Sequence, residues 1–455
     1  MKKNGLKKSA YNYKIIDNEG NYLLYNFIKG INSFCKIRKY DIDAYNELMN
    51  CDIIYKNLDN PTINQLFQFG VLINAHENEY EKIKAMYLDA IMDNKLLLII
   101  MPTEQCNFRC RYCYEKFEKD SMSKDTQNAI IKFIQRNKHK YSGVSIDWFG
   151  GEPLLEIDII EYILSNLKKI KCVYLSSITT NAYNLTPDVF EKLYNLRVYN
   201  YQITLDGLKE QHDNQRYLSN KLGTFDKIIN NLQFIRDNTR FSKANILIRT
   251  NVTSQILQNL NEFIEYYKIN FSQDSRFNIG ITPAWSVDNN YSTSNEIFDE
   301  FINTNELTKK LEEVGYYSES SLKIGNMHQV ISPVGPLCYA AKKNSFVVGS
   351  DATLYKCTVN FEMHENKIGC LKSNGFLEIL DYEYHSWYNP IDWRKMCKKC
   401  FYLPVCCGGP CPASNKFNNK TDNGNKCFSV EIKKNIDNFM IYYSSKYNFP
   451  FISFV

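Results

Sequence analysis

Three cysteines stand close together in the first third of the chain. Cys106, Cys110 and Cys113 are separated by three and then two residues. Three thiolates on one short segment are able to hold an iron–sulfur cluster and leave one iron open, whereas clusters that only transfer electrons are normally closed by four thiolates. The spacing alone also allows a structural zinc loop with a distant fourth ligand, or a redox pair made of Cys110 and Cys113.

A second group of cysteines lies in the C-terminal part of the chain. Its members are Cys338, Cys357, Cys397, Cys400, Cys406, Cys411 and Cys427, with Cys370 and Cys407 as extra cysteines. The chain has 15 cysteines and no recognisable export signal. Because cytosolic reductants keep thiols reduced, this usage favours metal or redox chemistry over disulfides. Spacing alone leaves open whether the second group holds iron–sulfur clusters or zinc.

Composition narrows the class of protein further. With 55 basic and 50 acidic residues among 455, the net charge is +5, and no long block of like charge indicates a nucleic-acid partner. No apolar run approaches the 18 or more residues needed to cross a bilayer. The lysines near the N-terminus are not followed by the apolar stretch of a signal peptide. We therefore expect a cytoplasmic protein without a membrane or nucleic-acid partner.

The elements that must position the first cysteines alternate between strand and helix. Short apolar runs predict strands at 96–101, 144–149, 173–179, 198–205, 245–252 and 277–282. Helical periodicity follows at 124–137, 158–169, 186–196, 225–237 and 255–267, with Thr186 and Pro187 as a cap and first-turn pair. This alternation indicates an α/β fold with a parallel sheet, and six units suit a partial (β/α)6 barrel.

The remainder of the chain divides into further segments. Residues 1–94 predict an α+β domain with a hairpin over 11–28 and helices near 41–50 and 79–92. The barrel is expected over 95–284, a bridging region with a helix near 295–313 over 285–335, and a cysteine-rich domain with a tail over 336–455. Cys35, Cys51 and Cys172 lack ligand spacing and are expected to be buried, inert thiols.

The first cysteine segment resembles the radical S-adenosylmethionine (SAM) superfamily. The resemblance rests on CxxxCxxC with an aromatic residue, Tyr112, before the last cysteine, placed directly after the first barrel strand. It implies that Cys106, Cys110 and Cys113 hold a 4Fe–4S cluster whose open iron binds SAM. It also implies that reduction cleaves SAM to a 5′-deoxyadenosyl radical, so that the cofactor and not a side chain generates the radical.

Later strand ends carry further parts of the same resemblance. Phe149-Gly150-Gly151-Glu152-Pro153 is similar to the family's glycine motif, which meets the SAM amino group through its backbone. Thr180, Gln202 and Arg249 match positions around the SAM ribose and carboxylate. Each of these three is equally explained as an interior polar residue with a structural partner.

The C-terminal cysteines resemble the SPASM extension of radical SAM enzymes over about 338–430. The resemblance implies two auxiliary 4Fe–4S clusters, and hence three clusters in all. Cys338, Cys357 and Cys411 would bind one auxiliary cluster, and Cys397, Cys400, Cys406 and Cys427 the other. One residue more than usual lies between Cys406 and Cys411, so Cys407 could replace Cys406, and Cys370 could complete the first set.

The resemblance also implies a class of substrate. SPASM-type enzymes act on peptides or proteins, and the favoured prediction is a thioether crosslink formed from cysteine in a ribosomally synthesised precursor peptide. The alternatives are a sulfatase-maturating enzyme that forms formylglycine and, from another class, a non-catalytic zinc protein. Residues 1–94 would recognise the precursor or simply cover the barrel edge. A flavodoxin or ferredoxin would donate electrons, and catalytic residues beyond the cluster are not assigned.

Overall fold

The computed structural model describes residues 5–284, 304–316, 327–359, 361–388, 397–409, 411–413 and 436–454. Cys427 and most of the predicted bridging region lie outside these ranges. The chain forms two compact units. The first comprises residues 1–92, 326–341 and 389–455, and the second comprises 93–325 and 342–388.

The described residues form strands and helices that are numbered here in chain order. The strands are β1 Gly5–Lys8, β2 Asn12–Ile16, β3 Tyr22–Asn26, β4 Cys35–Ile37, β5 Ile54–Tyr55, β6 Leu72–Asn74, β7 Lys95–Ile100, β8 Gly143–Trp148, β9 Tyr174–Thr180, β10 Val198–Thr204, β11 Asn245–Val252, β12 Phe277–Pro283, β13 Ser345–Val348, β14 Thr353–Tyr355, β15 Lys367–Leu371, β16 Leu377–Ile379 and β17 Phe451–Ile452. The helices are α1 Ile42–Met49, α2 Pro61–Gln68, α3 Glu79–Ile91, α4 Lys124–Asn137, α5 Ile157–Lys169, α6 Pro187–Asn195, α7 Lys209–Gln215, α8 Phe225–Asp237, α9 Ser254–Gln258, α10 Leu260–Asn270, α11 Thr304–Glu313, α12 Asp381–Tyr388, α13 Leu403–Cys406 and α14 Ile436–Lys446.

The second unit is built on a sheet whose strands β7 to β12 lie side by side in chain order and all run parallel. Helices stand between them, so the predicted α/β class is confirmed. The six predicted strands agree with β7 to β12 to within one residue at each end. The predicted cap pair is also present, since the Thr186 hydroxyl accepts the N–H of Val189 and Pro187 opens α6.

The two faces of this sheet differ in the polarity of their side chains. One row of registered side chains on the first face consists of Trp148, Ile178, Tyr201, Ile246 and Phe277, all of which are buried. Because successive side chains alternate between faces, the opposite face carries the polar residues of the same strands. This polar face is the one available to a ligand at the strand ends.

The sheet continues beyond β7 through C-terminal strands. β13 pairs parallel with β7, and β14, β15 and β16 follow in antiparallel order. Residues 342–388, which the sequence analysis groups with the cysteine-rich domain, therefore belong to the second unit. The short strands β13 to β16 were not predicted, because three to five residues carry too little periodicity to be recognised.

The first unit contains two small sheets. β5, β1 and β6 form one, and β17, β4, β3 and β2 form the other. The predicted hairpin is present as β2 and β3, whose turn is held by the Asp17 carboxylate accepting the N–H groups of Glu19 and Asn21, at 3.0 and 2.9 Å. An aromatic core around Tyr25, Phe27 and Phe34 holds this unit together.

Two expectations about isolated thiols are confirmed and one is wrong. Cys35 and Cys172 are buried, but Cys51 is exposed just after α1. Within the described ranges, no helix is long and apolar enough to cross a membrane.

Candidate active site

The three clustered cysteines lie on the loop that joins β7 to α4. All three are partly buried. The N–H of Cys113 donates to the carbonyl of Cys110 at 3.1 Å, and the N–H of Phe108 donates to Cys106 Sγ at 3.4 Å. These bonds fix the turns on which the three cysteines stand.

Backbone hydrogen bonds attach the start of this loop to the end of β8. The N–H of Gly151 donates to Thr103 at 3.3 Å, and the N–H of Glu152 donates to Gln105 at 2.9 Å. These bonds bring the predicted glycine motif directly against the cysteine loop.

The end of the loop is attached to the segment after α7. The N–H of Arg109 donates to the carbonyl of Tyr217 at 2.9 Å, and that of Arg111 donates to Gln215 at 3.0 Å. Phe108 also forms an isolated antiparallel bridge with Leu218. The cysteine loop is thus held from two sides by parts of the chain that are distant in sequence.

The glycine pair leaves no room for side chains. A Cβ atom on Gly150, whose φ is +115°, would lie 2.3 Å from the Thr103 carbonyl oxygen. A Cβ on Gly151 would lie 2.4 Å from the carbonyl oxygen of Gln105. Both positions require glycine because the backbone of the cysteine loop approaches so closely.

Glu152 links the glycine motif to the end of β9. Its buried carboxylate accepts the Thr180 hydroxyl at 2.6 Å, the Asn181 N–H at 2.7 Å and the Leu154 N–H at 2.9 Å. Asn181 in turn donates to Asn107 Oδ1 at 2.8 Å. The predicted ligand-binding residues Glu152 and Thr180 therefore bind each other and support the Cys106 end of the loop.

Tyr112 holds the other end of the cysteine trio. Its hydroxyl hydrogen-bonds Asp206, and it accepts from Arg216 Nη1 at 2.7 Å and from Asn251 Nδ2 at 3.2 Å. Arg216 lies 3.8 Å from Asp206, and both side chains are buried. The aromatic residue of the motif thus connects the loop to the ends of β10 and β11.

Sequence reasoning missed Arg216, which no motif or spacing marks. It lies 103 residues beyond Cys113, and only the fold brings it to the loop. Burial raises the pKa of both Cys106 and Cys110, and the positive charge of Arg216 opposes that rise. A buried cation beside a set of thiols favours their thiolate forms, which are the forms that bind iron.

Burial has a larger effect on these thiols than the charge of Arg216. Burial raises the pKa of the Cys106 thiol to about 12, and the pKa of Cys113 is raised well above its usual range for the same reason. Cluster binding must therefore displace the thiol protons, which makes it pH-dependent. Three cysteines on one short loop, a nearby cation and a glycine pair without side chains fit an iron–sulfur cluster with a small ligand beside it.

The predicted SAM-contacting residues of the later strands divide between the two faces of the sheet. Gln202 pairs in register with Leu247, and Arg249 follows two residues later on the same polar face. Thr180 pairs with Ile203 on the opposite, apolar face, whereas Thr179 pairs with Gln202. The residue of β9 that shares a face with Gln202 and Arg249 is thus Thr179.

A carboxylate that the sequence analysis did not single out also lies on the polar face. Asp147 of β8 pairs in register with Ser177, whose hydroxyl donates to it at 2.5 Å. Burial raises the pKa of Asp147. The signal for it was the alternation Val144-Ser145-Ile146-Asp147-Trp148, which places Ser145 and Asp147 together opposite the apolar residues.

A cavity of about 200 Å³ lies beside the cysteine loop within the second unit. Its walls come from residues 114–119, which directly follow Cys113, and from residues near the end of β14. Glu115 is 8% exposed, and its Oε1 atom has no hydrogen-bond partner among the described residues. Burial and the nearby Glu104 raise the pKa of Glu115 to about 8.

Three of the auxiliary cysteines are near neighbours in the first unit. Cys397 opens a turn in which the Cys400 N–H donates to its carbonyl at 3.0 Å, and Cys406 ends α13. The thiol of Cys407 is buried, with Sγ 3.8 Å from the Pro404 carbonyl. Cys407 also has a φ of +48°. It therefore packs into the core of the unit.

The other auxiliary cysteines are divided between the units. Cys338 and Cys411 belong to the first unit, and Cys357 and Cys370 to the second. Cys357 is held by Asn366, whose Oδ1 accepts its N–H at 2.8 Å and whose Nδ2 donates to its carbonyl at 2.9 Å. The Cys370 thiol donates to Glu378 at 3.2 Å. In the described ranges, no three His, Cys, Asp or Glu side chains are close enough to hold a single metal ion.

Comparisons with known proteins show what this chain is similar to. Residues 100–264 match the radical SAM superfamily. A cysteine-type anaerobic sulfatase-maturating enzyme of Clostridium novyi is 25% identical over 375 residues, which cover 76% of this chain and 96% of the relative. The radical SAM cyclopropyl synthase TigE of Paramaledivibacter caminithermalis is 24% identical over 271 residues, covering 54% of this chain and 55% of that relative.

A solved structure shares the fold. Native anSMEcpe with bound AdoMet and Cp18Cys peptide superposes with a TM-score of 0.59 at 19% identity, covering 77% of this chain and 97% of that one. The matched segment begins at the end of β7 and contains the cysteine loop, the glycine motif and Arg216. Residues 100–264 are therefore a radical SAM domain.

Proposed function

We propose that this protein reductively cleaves SAM and uses the resulting radical to modify a peptide. The observation that carries the proposal is the cysteine loop itself, held at one end by the glycine motif and at the other by the Tyr112, Asp206 and Arg216 contacts. A loop fixed this way presents three thiols to one cluster. The relative that is similar over most of this chain, a sulfatase-maturating enzyme, supports a peptide or protein substrate.

In this proposal Cys106, Cys110 and Cys113 hold a 4Fe–4S cluster. When bound, the cluster and SAM supply a 5′-deoxyadenosyl radical that abstracts a hydrogen atom. The chain orients SAM through the backbone of Gly150 and Gly151 and through Gln202 and Arg249 on the polar face, joined by Thr179 in place of Thr180. The six consecutive parallel strands favour the partial (β/α)6 barrel, whose ligands bind at the carboxyl ends of strands.

We assign the C-terminal cysteines to a SPASM-type domain with two auxiliary 4Fe–4S clusters. Cys397, Cys400 and Cys406, with Cys427, would bind one. Cys338, Cys357 and Cys411 would bind the other. Both cysteines are buried, and donation of the Cys407 thiol to the Pro404 carbonyl supports Cys406 as the ligand of the pair. An electron must leave after the new bond forms, and nearby clusters offer an acceptor whose potential the protein sets.

The favoured product is a thioether crosslink from a cysteine of a ribosomally synthesised precursor peptide. A second candidate is formylglycine, which the similarity to a cysteine-type sulfatase-maturating enzyme favours. The two products differ in whether the peptide keeps the cysteine sulfur atom. A thioether keeps the cysteine sulfur in the peptide, whereas conversion of cysteine to formylglycine replaces sulfur with oxygen. Residues 1–94 would recognise the peptide, and a flavodoxin or ferredoxin would supply the reducing electron.

The first test counts clusters. After anaerobic reconstitution, three 4Fe–4S clusters give about 12 iron and 12 sulfide per chain. Joint replacement of Cys106, Cys110 and Cys113 by alanine should lower both to about eight and abolish 5′-deoxyadenosine formation. A wild-type value near four would leave the SAM site and refute the auxiliary clusters. Zinc without iron would refute the enzyme.

The second test identifies the product. Cysteine-containing peptides encoded beside this protein's gene are incubated with enzyme, SAM and dithionite and then analysed by tandem mass spectrometry. A thioether is expected as a loss of two hydrogens with sulfur retained. Release of sulfide with a carbonyl at the former cysteine would select the formylglycine candidate.

A further inference from the structure

The cysteine loop and the segment after α7 pair as a short antiparallel ribbon. At one end of the ribbon the N–H of Ser219 donates to the Asn107 carbonyl at 2.9 Å, and the bridge between Phe108 and Leu218 follows in the same register. The two backbone bonds that attach the end of the loop to this segment continue that register. One register therefore determines which residues of the two segments lie opposite each other.

This register sets Arg216 opposite Cys110. The two residues lie between hydrogen-bonded pairs on either side, and in such an antiparallel pair the Cβ atoms are about 4.5–5.5 Å apart on the same side of the ribbon. The guanidinium also lies 5.7 Å from the ring centroid of Phe108, and its Nη1 lies 2.7 Å from the Tyr112 hydroxyl. The cation is therefore on the side of the loop that carries the Cys110 side chain.

The Arg216 side chain is buried, and its hydrogen-bonding capacity is not used up. It is 7% exposed. Nη1 donates to Tyr112, but Nε has no hydrogen-bond partner among the described residues. A buried N–H without an acceptor is costly. A cluster bound to Cys110 would bring sulfur atoms, which accept hydrogen bonds from N–H groups.

A buried cation beside a cluster ligand changes how easily the cluster is reduced. Reduction adds one electron, and a positive charge nearby stabilises the reduced form, more so where water does not screen it. Net charge, hydrogen bonds to sulfur and solvent exposure are the means by which a protein sets the potential of a cluster. The Asp206 carboxylate, 3.8 Å from Arg216, reduces this effect without cancelling it, because Arg216 is the register partner of Cys110.

The geometry points to Arg216 as the residue that raises the reduction potential of the SAM-binding cluster, acting beside Cys110 without being a ligand. The inference rests on the proposed assignment of Cys106, Cys110 and Cys113 to that cluster, and it is independent of the peptide. The electron passes from the flavodoxin or ferredoxin to the cluster, which is the group reduced. Arg216 makes that transfer more favourable.

The test is a redox titration of the anaerobically reconstituted full-length protein, followed by EPR of the reduced clusters. The SAM-binding cluster is recognised by the change of its signal when SAM is added. At a fixed solution potential, Arg216→Met should lower the ratio of reduced to oxidised cluster at least about tenfold, which is about 59 mV for a one-electron couple. Arg216→Lys keeps the charge and should recover most of this loss. Lys221→Met removes an exposed cation of the same segment and should titrate like wild type.

Two results would overturn the inference. One is the same potential in wild type and Arg216→Met, and the other is an equal shift in Arg216→Met and Arg216→Lys. If Arg216→Met does not retain iron, Arg216→Gln, which keeps a donor but not the charge, is titrated in its place with the same expected shift. SAM cleavage is measured on the same preparations. Cleavage by wild type with unchanged potentials refutes only the role of Arg216, whereas a wild type without a SAM-sensitive cluster refutes the proposed function and this inference with it.

Discussion

Replacement of Gly151 by alanine tests the contact between the glycine motif and the cysteine loop. The added Cβ would lie 2.4 and 2.5 Å from the carbonyl oxygens of Gln105 and Glu104 and 2.6 Å from the Gln105 carbonyl carbon. All three are backbone atoms, so the clash is not relieved by turning a side chain. The loop must move by several tenths of an ångström, and it carries Cys106 with it.

The loss of folding free energy caused by Gly151→Ala has two parts. Overpacking of a tight contact costs about 1–3 kcal/mol. The displacement also breaks the bonds from Gly151 to Thr103 and from Glu152 to Gln105, each contributing about 0.5–1.5 kcal/mol. We therefore expect Gly151→Ala to destabilise the metal-free chain by roughly 2–6 kcal/mol in urea unfolding. Reconstituted protein should bind less iron, because the first thiol is displaced from the other two.

Gly143, the first residue of the strand β8 that precedes Gly151, provides the control. A Cβ there would meet only Lys95 Cγ, at 4.0 Å, and Gly143→Ala should leave stability and iron content near those of wild type. If Gly151→Ala unfolds at the same urea concentration as Gly143→Ala and binds the same iron, the packing argument is wrong. Weakened SAM binding in an otherwise normal Gly151→Ala protein would instead limit the glycine's role to the cofactor.

Three further changes test buried groups of the second unit. His212 is fully buried, with Nδ1 accepting the Asp206 N–H at 3.1 Å, and burial holds its pKa well below the usual range. Below about pH 6.5 only the unfolded chain gains this proton, so wild type should lose about 1.4 kcal/mol more stability per pH unit than His212→Gln, measured by urea unfolding from pH 7.5 to 5.5. Arg216→Met leaves Asp206 buried without its cation and should cost about 3–5 kcal/mol, part of which Asp206→Asn restores in the double variant; full additivity would contradict the pairing. Asn366→Ala frees the buried N–H groups of Lys356 and Cys357. If Cys357 is a ligand, iron should fall from about 12 toward about eight per chain, whereas unchanged iron would count against that assignment.

The strands around the site were predictable from sequence because each is an apolar run bounded by polar turns. The first and last residues of β11, α4 and α8 are the ones that the sequence predicts. Helix starts were predictable where a local cap exists, as at Thr186. These features depend on neighbours within a few residues, which a sequence displays directly.

The remaining features depend on contacts between distant segments. In Tyr174-Leu175-Ser176-Ser177-Ile178-Thr179-Thr180 both threonines are plausible ligand-facing residues, and a shift of one residue exchanges the two faces. Only the pairing of Gln202 with Thr179 decides between them. Arg216 likewise has no local signature, because its role arises from bonds to Tyr112 that the chain fold creates. The placement of β13 beside β7 required the same long-range information.

These long-range contacts hold the loop that carries the three cysteines. Tyr112 lies between Cys110 and Cys113, so bonds from its hydroxyl to Asp206, Arg216 and Asn251 fix that half of the trio. Cys106 is fixed separately, through Asn181, whose Nδ2 binds Asn107 and whose N–H is held by Glu152. Residues at the ends of β8, β9, β10 and β11 thus together hold the cysteine loop in position. Because ordering a flexible loop costs about 1–2 kcal/mol per residue, a prearranged loop leaves more of the metal-binding free energy for affinity.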